Sequence, residues 1–226
     1  MAKVYRKEIK FIISKEQFQQ IRKQLALYLK KDSHGIGGEY RVRSLYFDAL
    51  HGADLFDSLS GQQSKSKIRM RIYTHDAKWV KLEYKRKFGL DGIKHGLTLT
   101  RVEANYMIDG DYRFLAARKE PLAAELYVHM VTGCYRPQSV VQYNREAYTH
   151  PVSNTRMTFD TSVSATETTG DFLKEHLCMI PLMPVELGVF EVKYDHLLIK
   201  PFNQIISRLN VIPNSNSKYV QSKIGF

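Results

Sequence analysis

Two stretches of the chain, Lys67-Ile-Arg-Met-Arg-Ile72 and Val80-Lys-Leu-Glu-Tyr-Lys-Arg-Lys87, decide how the sequence folds. In both, charged side chains alternate with apolar ones, a period of two that is typical of a β-strand with one face in a core. The same alternation recurs near residues 6–13, 40–47, 140–145, 156–160 and 189–194, and more weakly from Leu97 to Ile108. The pattern therefore predicts about eight strands.

Helical spacing appears between these strands. Ser14-Lys-Glu-Gln17 has the form of a capping box, and apolar residues at helical spacing follow it as far as Leu29. Further helices are predicted from His51 to Leu59, from Tyr112 to Val131 with a break at Pro121, and from Pro201 onward. Loops are predicted at His34–Gly38, Gly89–Gly96 and Thr161–Asp171.

Composition narrows the class of protein. The chain has 226 residues, with 34 Lys and Arg against 23 Asp and Glu, which gives a formal net charge of +11. A hydrophobic fraction of 43% excludes a disordered chain, and two cysteines exclude a disulfide-dense secreted scaffold and a four-cysteine zinc site. The start has no signal-peptide pattern, and no window approaches ~20 apolar residues, so we expect a soluble, cytoplasmic protein without a transmembrane segment.

The surplus positive charge indicates an anionic partner, and its placement narrows the choice. Arg and Lys often occupy positions i and i+2 of a strand, where they repel one another unless an anion lies between them. For a single strand, an ordinary solvated face is an equally good interpretation. Because the pattern recurs on nearly every strand, we predict an α+β fold in which an antiparallel eight-stranded β-barrel tunnel, flanked by helices, has a basic lining.

The chain shows no linker composition and no internal repeat, so we predict a single domain over residues 1–226. Nucleic acid is not the expected partner, because the helices are not specially basic and few aromatic residues share the basic strand faces. Single-stranded nucleic acid stays open, since Tyr and Arg can stack bases, but it ranks below phosphate chemistry. The segment Gly35-Ile-Gly-Gly38 lacks the Lys-Ser/Thr of a Walker A loop, and the histidines form no metal-spaced pair.

An ordered series of short motifs resembles a known family. The motifs are Lys67-Ile-Arg-Met-Arg71, Glu83-Tyr-Lys85, Tyr143-Asn-Arg145, Arg156-Met-Thr-Phe-Asp160, Glu191-Val-Lys193 and Ser217-Lys-Tyr219. In this order, from about residue 5 to 223, they resemble the vacuolar transporter chaperone (VTC) domain, the polyphosphate polymerase branch of the triphosphate tunnel metalloenzymes. The resemblance implies a tunnel of eight antiparallel strands.

The resemblance also implies an activity, the transfer of the γ-phosphate of ATP onto a growing inorganic polyphosphate chain. By this resemblance, the residues that hold the triphosphate and the product chain are Lys10, Arg69, Arg71, Lys85, Arg145, Arg156, Lys193 and Lys218. Additional substrate contacts are implied for Lys87, Tyr143 and Ser217. Glu191 matches the metal-binding glutamate of the family, with Mn²⁺ or Mg²⁺ as the expected ion. A separate membrane partner is left open.

Two other functions remain open from the residues. One is a triphosphatase of the same fold, whose relatives carry several carboxylates at alternate positions of the first strand to bind two metals. Here that strand has a single acid, Glu8, between Arg6 and Lys10, which favours transfer over hydrolysis. The other is a non-catalytic module that binds polyanions, against which Glu191 argues.

Overall fold

The computed structural model describes residues 6–32, 38–89, 91–215 and 217–225, which form a mixed α/β fold around a large antiparallel sheet. The strands are β1 (Arg6–Ser14), β2 (Lys30–Lys31), β3 (Glu39–Asp48), β4 (Ser64–Ile72), β5 (Trp79–Phe88), β6 (Asp91–Thr100), β7 (Arg136–His150), β8 (Thr155–Thr166), β9 (Ile180–Pro181) and β10 (Leu187–Asp195). The helices are α1 (Lys15–Leu25), α2 (Ala53–Leu59), α3 (Arg101–Ile108), α4 (Arg113–Ala116), α5 (Pro121–Thr132), α6 (Lys200–Ser207) and α7 (Lys218–Ile224). Short 3₁₀ turns occupy Leu50–Gly52, Val152–Asn154 and Thr169–Asp171.

The order of the sheet is β1-β10-β8-β7-β3-β4-β5-β6, with β2 paired to β7 and β9 paired to β8. Within the described residues the sheet has ten strands rather than the predicted eight, and no pairing closes it from β1 to β6. The two strands that alternation did not predict, β2 and β9, are two residues long, which is too short for a period of two to be seen.

The chain divides into two compact units. The first unit comprises the described residues of Met1–Arg41, Tyr143–Val163 and Pro181–Ser217, and the second those of Val42–Gln142, Ser164–Ile180 and Lys218–Phe226. Each unit has its own hydrophobic core.

In the first unit, one face of β1, β10 and β8 packs against α1 and α6. Phe159 of β8 stacks on Phe190 of β10 with ring centroids 4.6 Å apart, and Phe18 of α1 lies 4.3 Å from Phe159. Phe202 of α6 is completely buried in the same cluster. The helices thus cover the apolar side chains of these strands, and the alternate side chains lie on the opposite face.

The second unit repeats this arrangement with β3–β6. Strand residues such as Leu45, Met70 and Leu82 share a core with Met107 of α3 and Leu126 of α5, and all five are fully buried. The intervening residues of β4 and β5, mostly Lys and Arg, point to the other face of the sheet.

Two predicted features at helix starts are confirmed. The Ser14 hydroxyl accepts a hydrogen bond from the Gln17 amide at 3.3 Å, and the Gln17 side chain accepts one from the Ser14 amide at 2.9 Å, which completes the capping box of α1. Pro121 begins α5 and separates it from α4, because a proline fits the first helical turn and not the interior of a helix.

Two loop predictions are wrong in part, and one lies outside the described residues except for Gly38. Gly89–Gly96 was expected as a loop, yet β6 begins at Asp91, because pairing with β5 tolerates the two glycines of that strand. The weak strand Leu97–Ile108 turns into α3 at a second capping box, in which Thr100 and Glu103 cap each other. Thr161–Asp171 was also expected as a loop, but β8 continues to Thr166.

A buried tyrosine attaches α7 to the second unit. The Tyr219 hydroxyl donates to Asp48 Oδ2 at 2.5 Å, and its ring stacks on Tyr46 at 5.2 Å. Asp48 also accepts the amides of Ala49, Asp54 and Leu55 at 2.7–3.0 Å, so the same carboxylate caps the start of α2.

We expect Tyr219→Phe to lower the free energy of unfolding by about 1–2 kcal/mol, because it removes one donor from a carboxylate that keeps its amide partners. Denaturant unfolding measures this loss. The matched control is Tyr106→Phe, which removes the hydroxyl of a tyrosine that is 46% exposed and should stay within about 0.5 kcal/mol of the wild type. Equal stability of both variants would show that Tyr219 does not hold α7 in this way.

Candidate functional site

Each unit presents a sheet face that is rich in cations. We call the polar face of β1, β10, β8 and β7 in the first unit the first basic face, with Glu8, Lys10, Lys193, Glu191, Arg156, Thr158, Asp160, Tyr143 and Arg145. We call the polar face of β4, β5 and β6 in the second unit the second basic face, with Lys65, Lys67, Arg69, Arg71, Lys81, Glu83, Lys85, Lys87 and Lys94. Directly opposite residues of an antiparallel pair share a face, and the registers of β1, β10 and β8 and of β4, β5 and β6 align these residues. Arg145 of β7 belongs to the first basic face through its contact with Asp160, and Tyr143 lies two residues before it.

A single carboxylate organises the second basic face. Glu83 accepts hydrogen bonds from Arg69 Nε at 2.6 Å and from Lys94 Nζ at 2.5 Å, and Arg71 Nη1 lies 3.7 Å from its Oε1. The Glu83 side chain is only 8% exposed. Burial raises the pKa of Glu83, but Arg69, Arg71 and Lys94 lower it by more, so the net pKa is about 2. The carboxylate is therefore ionised at neutral pH and balances only part of the positive charge around it.

Tyr46 is a second neighbour that fixes Arg69. Arg69 Nη1 donates to the Tyr46 hydroxyl at 3.1 Å, and the guanidinium lies 5.9 Å from the centre of the Tyr46 ring. Burial raises the pKa of Tyr46, whereas the charges of Arg69, Arg71 and Lys218 lower it by more. Arg69 is thus fixed by two neighbours in a region of positive potential.

On the first basic face, Arg145 is held by a buried carboxylate. Its Nε and Nη2 donate to the two oxygens of Asp160 at 2.7 and 2.8 Å, and its guanidinium lies 5.1 Å from the centre of the Tyr143 ring. The Asp160 side chain is fully buried. Burial lowers the pKa of Arg145, but Asp160, Tyr143 and Glu191 together raise it by more, so the guanidinium stays charged.

The other ion pairs of this face surround Glu191 and Glu8. Glu191 Oε1 lies 3.0 Å from Lys193 Nζ, and its Oε2 lies 3.8 Å from Arg145 Nη2. Lys10 Nζ is 3.0 Å from Glu8 Oε1, and Lys193 Nζ is 3.8 Å from Glu8 Oε2. The acids and bases of β1 and β10 thus form a continuous network.

Arg156 has different partners. Its Nη2 donates to the Tyr40 hydroxyl at 3.0 Å and lies 3.0 Å from Asp32 Oδ2. Its side chain is 33% exposed, so a ligand can reach it beside these partners.

The donors near Glu191 fit a hard divalent cation. Thr158 lies directly across from Glu191 in the β8–β10 register, and its buried Oγ1 has no hydrogen-bond partner within the described chain. A carboxylate and a hydroxyl supply the oxygen ligands that Mg²⁺ and Mn²⁺ prefer. No group of three or more His, Cys, Asp or Glu side chains suited to a metal occurs in the part of the chain that the structure describes, so water and phosphate oxygens would complete the coordination.

The structure places most of the predicted site residues on the two faces. The first basic face carries Lys10, Tyr143, Arg145, Arg156, Glu191 and Lys193. The second basic face carries Arg69, Arg71, Lys85 and Lys87, of which the two lysines are exposed. Lys218 is the first residue of α7, and Ser217 directly precedes it.

Lys94 and Thr158, which lie beside carboxylates of these faces, were not predicted as site residues. Lys94 lies in the segment expected as a loop. In the structure it shares a face of β6 with Gly96 and Thr98, and its side chain donates to Glu83. Thr158 is neutral and stands between Arg156 and Asp160, so only its register with Glu191 reveals it.

Comparison with known proteins identifies the family. The model of the VTC domain matches residues 5–223. The chain belongs to the VTC domain family. A comparison with curated proteins found no match.

Solved structures with a similar fold include one described as "a putative adenylate cyclase" from Bacillus halodurans, with 15% identity and a TM-score of 0.56 over 94% of this chain and 96% of that one. A protein from Pyrococcus horikoshii OT3 matches with 14% identity and a TM-score of 0.49 over 98% and 99% of the two chains. Within the described residues, no helix has the length and apolar character needed to span a membrane.

We expect Glu83→Gln to lower the free energy of unfolding at neutral pH by about 3 kcal/mol, because it removes the buried negative charge beside Arg69, Arg71 and Lys94, of which Arg71 is nearly buried. Since the pKa of Glu83 is depressed from 4.5 to about 2, its contribution is present above pH 4.5 and is lost as the pH falls towards 2. The difference between wild type and variant should therefore shrink over this interval in denaturant unfolding.

Glu125→Gln is the matched control, because Glu125 pairs with Arg86 at the surface with a side chain that is 42% exposed. It should cost no more than about 1 kcal/mol at any pH. A pH-independent difference for Glu83→Gln would contradict the assignment of Glu83 as the counter-charge.

Proposed function

We propose that this protein is a polyphosphate polymerase, which transfers the γ-phosphate of ATP onto a growing inorganic polyphosphate chain. The observation that carries the proposal is the surplus of anchored cations on the polar sheet faces, where Arg69 and Arg145 are each fixed by a buried carboxylate. The VTC domain match over residues 5–223 supports the same substrate class.

The chemistry needs little from the protein beyond position and charge. The terminal phosphate of the chain is already an anion near neutral pH, so it can attack the γ-phosphorus without a general base. A new oxygen–phosphorus bond forms to the chain, the bond between the γ-phosphorus and the bridging oxygen breaks, and ADP leaves with that oxygen. Arginine forks neutralise the phosphate oxygens as charge moves onto the leaving group.

In this proposal basic residues that lie on the sheet faces bind the phosphates. The proposed triphosphate and chain ligands are Lys10, Arg69, Arg71, Lys85, Arg145, Arg156, Lys193 and Lys218, with further contacts from Lys87, Tyr143 and Ser217. Closure of the sheet into a tunnel, one domain over residues 1–226 and a cytoplasmic location belong to the same proposal. A separate membrane partner stays open.

Glu191 would hold the divalent cation, Mn²⁺ or Mg²⁺. When bound, the cation neutralises phosphate oxygens and helps to orient them. Glu83 and Asp160 are committed to arginines, which leaves few carboxylates for the second metal that a hydrolase would use to activate water.

The test is incubation of the purified protein with ATP and Mn²⁺, followed by identification of the products. We expect a long acid-labile phosphate polymer together with ADP. Orthophosphate as the sole phosphate product would instead support a triphosphatase, and absence of turnover would support a binding module. Cyclic AMP with pyrophosphate would indicate a cyclase, and each of these three results would contradict the proposal.

Arg69→Ala combined with Arg71→Ala should weaken the binding of a non-hydrolysable ATP analogue, because both guanidinium groups lie on the second basic face beside Glu83. The expected loss is about 1.5–3 kcal/mol for each charged hydrogen bond removed, or at least about tenfold in Kd per bond. Titration calorimetry at fixed ionic strength measures it.

The control for this pair is Arg113→Ala combined with Lys119→Ala, which removes the same charge from exposed positions outside the sheet. It should leave the Kd within about twofold, since exposed charges are screened by salt. Unchanged affinity in the Arg69/Arg71 variant, with its fold intact by circular dichroism, would show that the second basic face does not bind the triphosphate.

A further inference from the structure

Thr158 is buried at a position where its hydroxyl is not satisfied. Its side chain lies in the middle of β8, the residue is only 3% exposed, and Oγ1 has no hydrogen-bond partner among the residues that the structure describes. Buried polar atoms are nearly always hydrogen-bonded, because an unpaired hydroxyl loses its contacts with water and gains nothing in return. A valine would fill the same space without this cost, so the hydroxyl calls for an explanation.

The neighbours of Thr158 do not use the hydroxyl. On its own strand, Arg156 is engaged with Tyr40 and Asp32, and the two oxygens of Asp160 receive the bidentate bond of Arg145. Across the sheet, the Cα partner of Thr158 is Glu191, whose side chain is on the same face.

The pairing of Thr158 with Glu191 indicates which kind of ligand fits the hydroxyl. A threonine hydroxyl can donate to a phosphate oxygen or offer a lone pair to a cation. The Glu191 carboxylate already lies 3.0 Å from Lys193 Nζ and 3.8 Å from Arg145 Nη2, and these cations can serve phosphate oxygens. The carboxylate and the hydroxyl beside it together supply two hard oxygen ligands for a cation. A threonine or serine hydroxyl serves as a Mg²⁺ ligand in phosphate-binding loops. The position of Thr158 therefore favours a cation.

We propose that Thr158 Oγ1 is a second protein ligand, with the Glu191 carboxylate, for the divalent cation that accompanies the bound phosphates. This deepens the proposed function and rests on it for the identity of those phosphates. The hydroxyl keeps its proton and binds through a lone pair, so no bond is broken. Thr158 thereby serves cation binding at the expense of stability.

The test compares Thr158→Val with Thr158→Ser and with Glu191→Gln. Electron paramagnetic resonance of free Mn²⁺ measures the Mn²⁺ affinity of each protein in the presence of a non-hydrolysable ATP analogue. We expect Thr158→Val to weaken Mn²⁺ binding at least fivefold and Glu191→Gln to weaken it further. Thr158→Ser, which keeps the hydroxyl, should stay within twofold of the wild type.

A second readout separates this role from a structural one. Because valine removes an unsatisfied hydroxyl, the metal-free Thr158→Val variant should melt about 2–4 °C above the wild type. A structural role would lower the melting temperature instead, and that result would overturn the proposal. Unchanged Mn²⁺ affinity in Thr158→Val would also overturn it. So would weaker binding of tripolyphosphate in EDTA, because the hydroxyl would then serve a phosphate.

The failure of this inference is distinguishable from the failure of the proposed function. If the wild type makes polymer from ATP and Thr158→Val binds Mn²⁺ normally, only the role of Thr158 is wrong. If the wild type binds Mn²⁺ with the expected dependence on Thr158 but makes no polymer, the cation site is supported and the polymerase assignment is wrong. A wild type that binds no Mn²⁺ overturns the inference outright.

Discussion

The ion pairs between a buried carboxylate and the cations around it are the interaction on which each basic face depends. Arginine and lysine at alternate positions of neighbouring strands repel one another, and a sheet that carried them alone would lose stability. Glu83 of the second unit and Asp160 of the first unit are almost wholly buried, and each fixes at least one guanidinium. The apolar faces of the same strands supply the folding energy, because helices bury them in two separate cores.

This neutralisation is incomplete, and the net positive charge that remains on the second basic face is relevant to ligand binding. Glu83 alone stands among Lys65, Lys67, Arg69, Arg71, Lys81, Lys85, Lys87 and Lys94 on the second basic face. The closely spaced negative charges of a phosphate chain match a row of cations along a strand, so the net positive charge of this face suits such a ligand. The carboxylates therefore determine where the arginines lie, while the second basic face as a whole keeps a net positive charge that suits an anionic ligand. Thr158 is a related case, because its buried hydroxyl has no hydrogen-bond partner among the described residues and we propose a cation as its ligand.

Periodicity predicted most of the longer strands and which of their side chains share a face, because a period of two is a local property of extended backbone. It placed Arg69 with Arg71 and Glu191 with Lys193 correctly, and the ordered motifs predicted the family. The prediction from periodicity failed at β6. Gly92 and Gly96 are typical of a loop, but pairing with β5 keeps this segment extended. Because this part of β6 was expected as a loop, Lys94 was not predicted as a residue of the basic face. Ion-pair partners such as Arg145 and Asp160 lie on different strands, so no local pattern could assign them.

The central claim is that the folded protein is built to receive a chain of phosphates. The most direct test is the free energy of unfolding as a function of tripolyphosphate concentration, with ionic strength held constant by chloride. A ligand that binds only the folded state raises this free energy by about 1.4 kcal/mol for each tenfold increase in concentration above its Kd. We predict such a rise for tripolyphosphate and none for chloride alone. A free energy of unfolding that does not change with tripolyphosphate would contradict the claim.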